Sequence, residues 1–344
     1  MTTPFPLSGT GRVRWRAALP GRHVGGVSVA ADGMAFVTTE SGLIALDGPE
    51  TRWTAETAGG CVLLDGGLLV TSEAGGYAVR EQRTGAAVGE IEGRPLSAPM
   101  PLAGGVLVFL TAGSVLRATT LTGEPRWSAE VPTPAWPLVW QGTVFVAELA
   151  AVRAFDAAGG PLWRVDLTGE LDGSLVGLPD GKVLVPVRGD DHIGFLELDP
   201  QGNLRRVPAH LPPGELVVPL PTGRLALPGW PERDNLGERH PTVTIVEVET
   251  GAVLQHHRVP ADVHGLAAGT NGLIAVAGSP TWEYWTKYHG RPGFDLRESC
   301  YVWFLDEQGV RVKWTAGSPI TGPVAIAANG DLLVPLPGEL ISLG

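Results

Sequence analysis

Short apolar runs separated by glycine-bearing turns recur along the whole chain. The first set reads VGGVSVA, an Asp-Gly turn, MAFVTT, a turn at Ser41-Gly42, LIALD, another turn, then TRWTA. Each run is shorter than a helix and is bounded by turn residues, so each is predicted to be a strand. Two markers repeat in phase. A glycine opens a Trp-bearing or apolar strand at Gly11, Gly48, Gly85, Gly123, Gly160, Gly202, Gly251 and Gly309, with the tryptophan present as Trp15, Trp53, Trp127, Trp163 and Trp314. A turn dipeptide ending in glycine separates two apolar runs at Asp32-Gly33, Gly66-Gly67, Gly104-Gly105, Gln141-Gly142, Asp180-Gly181, Thr222-Gly223, Asn271-Gly272 and Asn329-Gly330. Such dipeptides favour the positive φ that tight hairpins require.

Four strands per unit and eight units predict an all-β, eight-bladed β-propeller spanning residues 1–344 as a single domain. The last unit, Pro323–Gly344, holds three strands (PVAIA, DLLVPL, ELISL). The missing fourth is expected from Gly11–Arg16, which would close the last blade and remove an exposed edge.

Composition agrees. Glycine (48) and proline (30) approach a quarter of the 344 residues but are interleaved with Val, Leu, Ile and 11 Trp, the mixture of short strands and turns rather than disorder. A net charge of −11 without a basic run argues against nucleic acid or an anionic membrane as partner. No stretch approaches 18 apolar residues. MTTPFPLSGTGRVRW shows no basic region followed by an apolar one. Cys61 and Cys300 form no disulfide framework. Together these predict a cytoplasmic protein with no membrane contact.

The unit, an apolar strand, Asp-Gly, a strand, Gly-Leu-x-Ala-Leu-Asp and then Gly-x-x-x-Trp, resembles the PQQ-like β-propeller repeat. The match is clearest over Asp32–Trp53 and Gln141–Trp163, where Val152-Arg153-Ala154-Phe155-Asp156 stands for the third strand. That family includes quinoprotein alcohol dehydrogenases and a periplasmic lipoprotein scaffold of outer-membrane protein assembly. The resemblance implies the propeller fold. Its quinone-binding members clamp the cofactor with a vicinal cysteine pair and a calcium site. Cys61 and Cys300 are far apart, so no cofactor is assigned.

Intervals between the opening glycines are 37, 37, 38, 37, 42, 49 and 58 residues, so blades five, six and seven carry insertions. These are expected between the second and third strands, at 187–193 (VRGDDHI), 228–241 (PGWPERDNLGERHP) and 279–299 (SPTWEYWTKYHGRPGFDLRES). Strand alternation puts all three on the face that also receives the interblade loops bearing His23, Arg94, Trp136, Asp172, His210, Asp262 and His264. Insertions on one face of a repeat protein often mark its binding face.

Their composition suits a pocket at the channel mouth, with aromatic walls and a few polar groups. The expected ligand-binding residues are Trp230, Asp234, Arg239, His240, Trp282, Tyr284, Trp285 and Arg297. The competing expectation is that these aromatics pack on one another, since a long loop needs its own small core. His264, His289, Asp262 and Tyr288 are the candidates for proton transfer, because a histidine beside a carboxylate titrates near neutral pH. Asp190, Asp191 and His192 offer metal-ligand chemistry, but adjacent residues seldom point at one ion. His256 and His257 are expected on an outer strand, without a role. Cys61 has no local base and reads as a small packed residue.

The resulting expectation is a binding propeller whose partner is a small organic molecule or a peptide segment held at the channel mouth. The alternative is a cofactor-independent lyase, hydrolase or cyclase using the same pocket.

Overall fold

Eight antiparallel sheets account for the described strands; seven follow chain order outward from their first strand, and the eighth takes its outer strand from the N-terminal segment. The computed structural model describes the chain apart from residues 1–5, 22–23, 58, 94, 133, 190–192, 208–215, 221–222, 234–238, 260–261, 280–299 and 307, and apart from the side chains of 193, 230–233, 239–241 and 262. The fold is an eight-bladed β-propeller with four-stranded blades. Blades two to five, with Val248–Ala252, make one compact unit; blades one, six, seven and eight make another.

Within the first unit, blade two runs from Cys61–Leu64 to Ala87–Glu92, blade three from Met100–Leu102 to Pro125–Glu130, and blade four from Ala135–Trp140 to Pro161–Asp166. Blade five differs. Its first strand is split into Glu170–Leu171 and Val176–Gly177, both paired with Val183–Arg188. Part of its extra length therefore lies there, and its second strand continues through Arg188 while the third opens at Ile193.

In the second unit, the last blade comprises Ala325–Ile326, Leu332–Leu336, Glu339–Leu343 and the N-terminal strand Val13–Ala18. Ala17 pairs with Leu340 and Arg16 with Ile341, so the first segment supplies the missing fourth strand. In blade six the second and third strands, Arg224–Arg233 and Arg239–Glu247, are lengthened into one hairpin that absorbs most of residues 228–241. The segment 280–299 lies outside the described residues.

The middle strands have both faces covered by neighbouring blades, so they read as near-continuous apolar runs rather than alternating ones. VLVFLT (Val106–Thr111) and TVFVAE (Thr143–Glu148) are buried almost throughout. Phe109, Phe145, Phe195 and Phe304 are among the largest fully buried side chains. The core sits between blades: Leu102, Val108 and Leu116 of blade three cluster with Val144, Val146 and Phe155 of blade four. Fourth strands alternate instead, as in PRWSAE (Pro125–Glu130), because only one face is covered.

Both sequence markers have a physical cause. The eight turn glycines, from Gly33 to Gly330, all have φ between +70° and +93°, which a side chain resists. Four of these turns close identically, the glycine amide donating to Ala30, Leu178, Gly269 or Ala327. The tryptophan follows a β-bulge in the fourth strand: Ala118 pairs with Trp127 and Thr119 with Pro125, leaving Arg126 extra.

The ring then docks on the next blade. Trp127 Nε1 donates to the Ala157 carbonyl at 3.0 Å and the ring stacks on Phe155. A Cβ at Gly159 would lie 2.5 Å from that ring. Trp163 repeats the contact one blade on, to the Pro200 carbonyl at 3.0 Å over Gly202. Opening glycine and tryptophan stay in phase because the tryptophan of one blade rests on the glycine turn of the next. Trp314 is an exception to the expected register. Val312 follows the bulge in blade seven and packs over Gly11, while Trp314 lies two residues further along.

Candidate functional site

Second-to-third turns and interblade connections leave the strands at one end, by antiparallel alternation. In blades three and four that end carries three exposed apolar side chains: Leu96 (61%), Leu149 (46%) and Trp136 (39%). The remaining exposed large apolar residues, Val13, Val88, Leu162, Val253, Leu254 and Val310, all lie at the opening of a fourth strand. That second set recurs from blade to blade and belongs to the repeat. Leu96, Trp136 and Leu149 do not recur among the described residues, so the repeat does not account for them.

The backbone under these three residues is fixed. Leu96 N donates to the Leu110 carbonyl at 2.7 Å, and Leu110 N donates to Ser97 Oγ at 3.0 Å. The Tyr77 hydroxyl donates to the Ser97 carbonyl, and burial pushes the Tyr77 pKa upward, so it remains a donor. Leu171 N donates to the Leu149 carbonyl at 2.8 Å. Trp136 pairs with Ala147 within its sheet. In blade five the same end carries Asp172, which accepts from Arg188 Nε at 2.6 Å. With Arg188 64% exposed, this pair orients side chains more than it stabilises the fold.

Sequence reasoning singled out Trp136 and Asp172 but missed Leu96 and Leu149. The available signal was a leucine in the two-residue turn Leu149-Ala150, where polar residues are usual.

Of the residues expected to move protons, His264 is the extra residue of a bulge between Val263 and Gly265 in the first strand of blade seven. It is exposed. Bulges re-aim side chains, which turns His264 out of the alternation of its strand. Asp262 opens that strand, its backbone opposite Ser279. His289 and Tyr288 lie outside the described residues, as do Asp234, Trp282, Tyr284, Trp285 and Arg297, the candidate metal ligands Asp190, Asp191 and His192, and the loop residues His23, Arg94 and His210. Trp230, Arg239 and His240 are strand residues of the blade-six hairpin.

His256 and His257 lie on the fourth strand of blade six, as expected, bonded to Thr244 and Gln255. Cys61 opens the first strand of blade two half-buried; Cys300 is buried, and burial pushes its thiol pKa up against the opposing Ser279 hydrogen bond. Among the described residues no group of three or more His, Cys, Asp or Glu side chains is placed to hold a metal ion.

A family profile described as outer membrane protein assembly factor BamB matches residues 7–135. No curated protein matches the chain in sequence. Among solved structures, BamB from Moraxella catarrhalis superposes with a TM-score of 0.66 at 16% identity, covering 96% of this chain and 99% of that one. The extracellular domain of the putative one component system BT4673 from B. thetaiotaomicron gives 0.55 at 12% identity; 97% of this chain aligns to 40% of that one.

These similarities overturn the cytoplasmic expectation. The matched profile describes an outer membrane protein assembly factor and one structural neighbour is an extracellular domain. The physical reason for the error is plain. Strand pairing and core packing are indifferent to compartment, and one stretch lacking an apolar leader does not locate a protein. The chain is an eight-bladed propeller of PQQ-like repeats, without the cysteine pair of the quinone-binding members.

Proposed function

We propose that this chain is a partner-binding propeller that engages a polypeptide through the face of its interblade and second-to-third connections. The observation that carries this is the non-repeating set Leu96, Trp136 and Leu149 in blades three and four, exposed on a hydrogen-bonded backbone. A surface already ordered before binding loses little entropy on association. Burying one such apolar side chain is worth about 1.5–3 kcal/mol. Tryptophan is among the residues enriched at interface hot spots, which makes Trp136 the expected anchor of this surface.

Within blades six and seven, taken by themselves, the same reading assigns the strands of the 228–241 hairpin, which carry Trp230, Arg239 and His240, to a contacting surface. His264, exposed at its bulge, belongs to that part. The similarity to an assembly factor supports a protein rather than a small metabolite as partner.

The test is site-specific photocrosslinking in the source cells, with a benzophenone side chain at 96, 136 or 149 and, as controls, at the fourth-strand positions 88 and 162. One discrete protein adduct from the three face positions and none from the controls is expected. Equal crosslinking from both sets overturns the assignment.

A further inference from the structure

A second surface lies at the seam between blades two and three, where the chain departs from its own repeat three times. The first departure is at the tryptophan position. Val79 pairs with Gly89 after the bulge, as Ala118 does with Trp127, so blade two presents a glycine where blades three and four present an indole. The outer part of this seam therefore lacks an indole from blade two, while Tyr77 and Phe109 pack edge to face deeper in it.

The second departure concerns Arg126. It is the extra residue of its bulge, like Arg52 in blade one and Arg311 in blade seven. Arg52 is paired to Asp47 at 2.6 Å and Arg311 to Asp306, the carboxylate that ends the third strand of the same blade. The corresponding residue in blade three is Thr120, whose hydroxyl is engaged by Thr122 and the Glu124 amide.

The third departure concerns Arg117. Its counterpart in blade four, Arg153, is in ion contact with the buried Glu148, out of hydrogen-bond alignment, and Arg164 approaches the same carboxylate at 3.6 Å. In blade three the residue matching Glu148 is Thr111, which bonds the Val115 carbonyl. Arg117 therefore also lacks the carboxylate of its own blade.

Both guanidiniums line a groove of about 850 Å³, and Glu90 and Glu92 of the blade-two fourth strand line it too. All four side chains are exposed, and none has an ion-pair partner within 4.0 Å among the described residues. The groove is flanked by two strands, Ala87–Glu92 and Pro125–Glu130, each with a sheet neighbour on one side only. An unpaired strand edge can accept an added extended segment.

We infer that this seam binds an extended peptide segment carrying both a carboxylate and a cationic side chain. The carboxylate meets Arg117 and Arg126, the cation meets Glu90 and Glu92, and the peptide backbone pairs with the open fourth-strand edge. Arginine suits the first role because its planar fork matches a carboxylate in bidentate fashion. This surface is separate from the loop face and does not depend on it.

The test is selection of a random dodecapeptide phage library on the purified chain, followed by affinity measurement of the enriched peptides by fluorescence polarisation. The variants are R117E/R126E, a fully reversed E90K/E92K/R117E/R126E, and L96E as a loop-face control, each checked for an unchanged melting profile. Enriched peptides should contain acidic and basic residues, lose at least tenfold in affinity on R117E/R126E and be unaffected by L96E. Peptides with their charges exchanged should bind the reversed variant. No enrichment, or enriched peptides indifferent to the groove charges, overturns the inference. Peptides weakened by L96E alone would support the loop face and reject the groove.

Discussion

Two seams solve the same packing problem with opposite means. Between blades three and four a large ring bridges the gap: Trp127 lies on Gly159 and Phe155 and donates to the Ala157 carbonyl. Between blades two and three no indole follows the bulge, and at that position backbone closes on backbone. A Cβ at Gly89 would meet the Leu121 carbonyl oxygen at 2.4 Å, and one at Gly123 would meet the Glu90 carbonyl oxygen at 2.7 Å. The turn glycine is needed in both cases, once as a platform for an indole and once for direct approach. A repeat position can thus be invariant in residue while the contact it serves changes completely.

The largest expected effect separates these two uses. Gly159→Ala forces a methyl into the Trp127 ring at a residue with φ of +84°. Overpacking and left-handed strain together should cost about 2–4 kcal/mol, read as a fall in urea midpoint. Trp127→Ala removes the ring the methyl would strike, so in the double variant the overpacking part of the cost should vanish. Strict additivity of the two changes would show that the ring does not rest on that glycine.

A smaller effect isolates the polar half of the ring contact. Trp127→Phe keeps an aromatic on Gly159 but deletes the bond to Ala157, which sits near solvent. The expected loss is about 0.5–1 kcal/mol. A loss as large as that of Trp127→Ala would mean that the hydrogen bond, not the ring, holds the seam.

The smallest effect is pH-dependent and belongs to a third kind of seam. Between blades six and seven Gln255 follows the bulge, and His257 Cε1 lies 4.0 Å from where a Cβ of Gly309 would be. Burial, then the neighbouring His256, holds the His257 pKa below its ordinary 6.5, with Asp306 acting in the opposite direction. A histidine kept neutral in the fold contributes stability that is present above pH 6.5 and is lost as the pH falls below it, because the unfolded chain takes up the proton first. The melting temperature should therefore drop from pH 7.5 to 5.5 by more in the wild type than in His257→Gln. An equal drop would remove His257 from the account of this seam.

Much of this fold was legible because turns and bulges recur with fixed chemistry. The eight turn glycines marked the hairpins, and the fourth strand of the last blade was recoverable from Gly11–Arg16 by counting. Register was harder. A bulge adds one residue relative to a partner strand, which only the pairing reveals, so Trp314 was grouped with tryptophans whose position Val312 in fact occupies. His264 at its bulge was hidden for the same reason. The missing carboxylates at Thr111 and Thr120 became visible only after blades could be aligned by pairing rather than by spacing. The loop face escaped because exposure of Leu96 and Leu149 is set by their neighbours, not by their residue type.

The strand Val13–Ala18 meets partners more than 300 positions away; Arg16 and Glu339, joined by paired hydrogen bonds at 3.0 Å, are 323 residues apart. At roughly 5–20 residues per second of synthesis, that strand emerges tens of seconds before its partner exists. During this wait it is a single unpaired segment, and it carries two arginines, Arg14 and Arg16, of the charged kind that discourages such an edge from joining another copy. Closure of the last blade is consequently the one step of assembly that every other blade can precede.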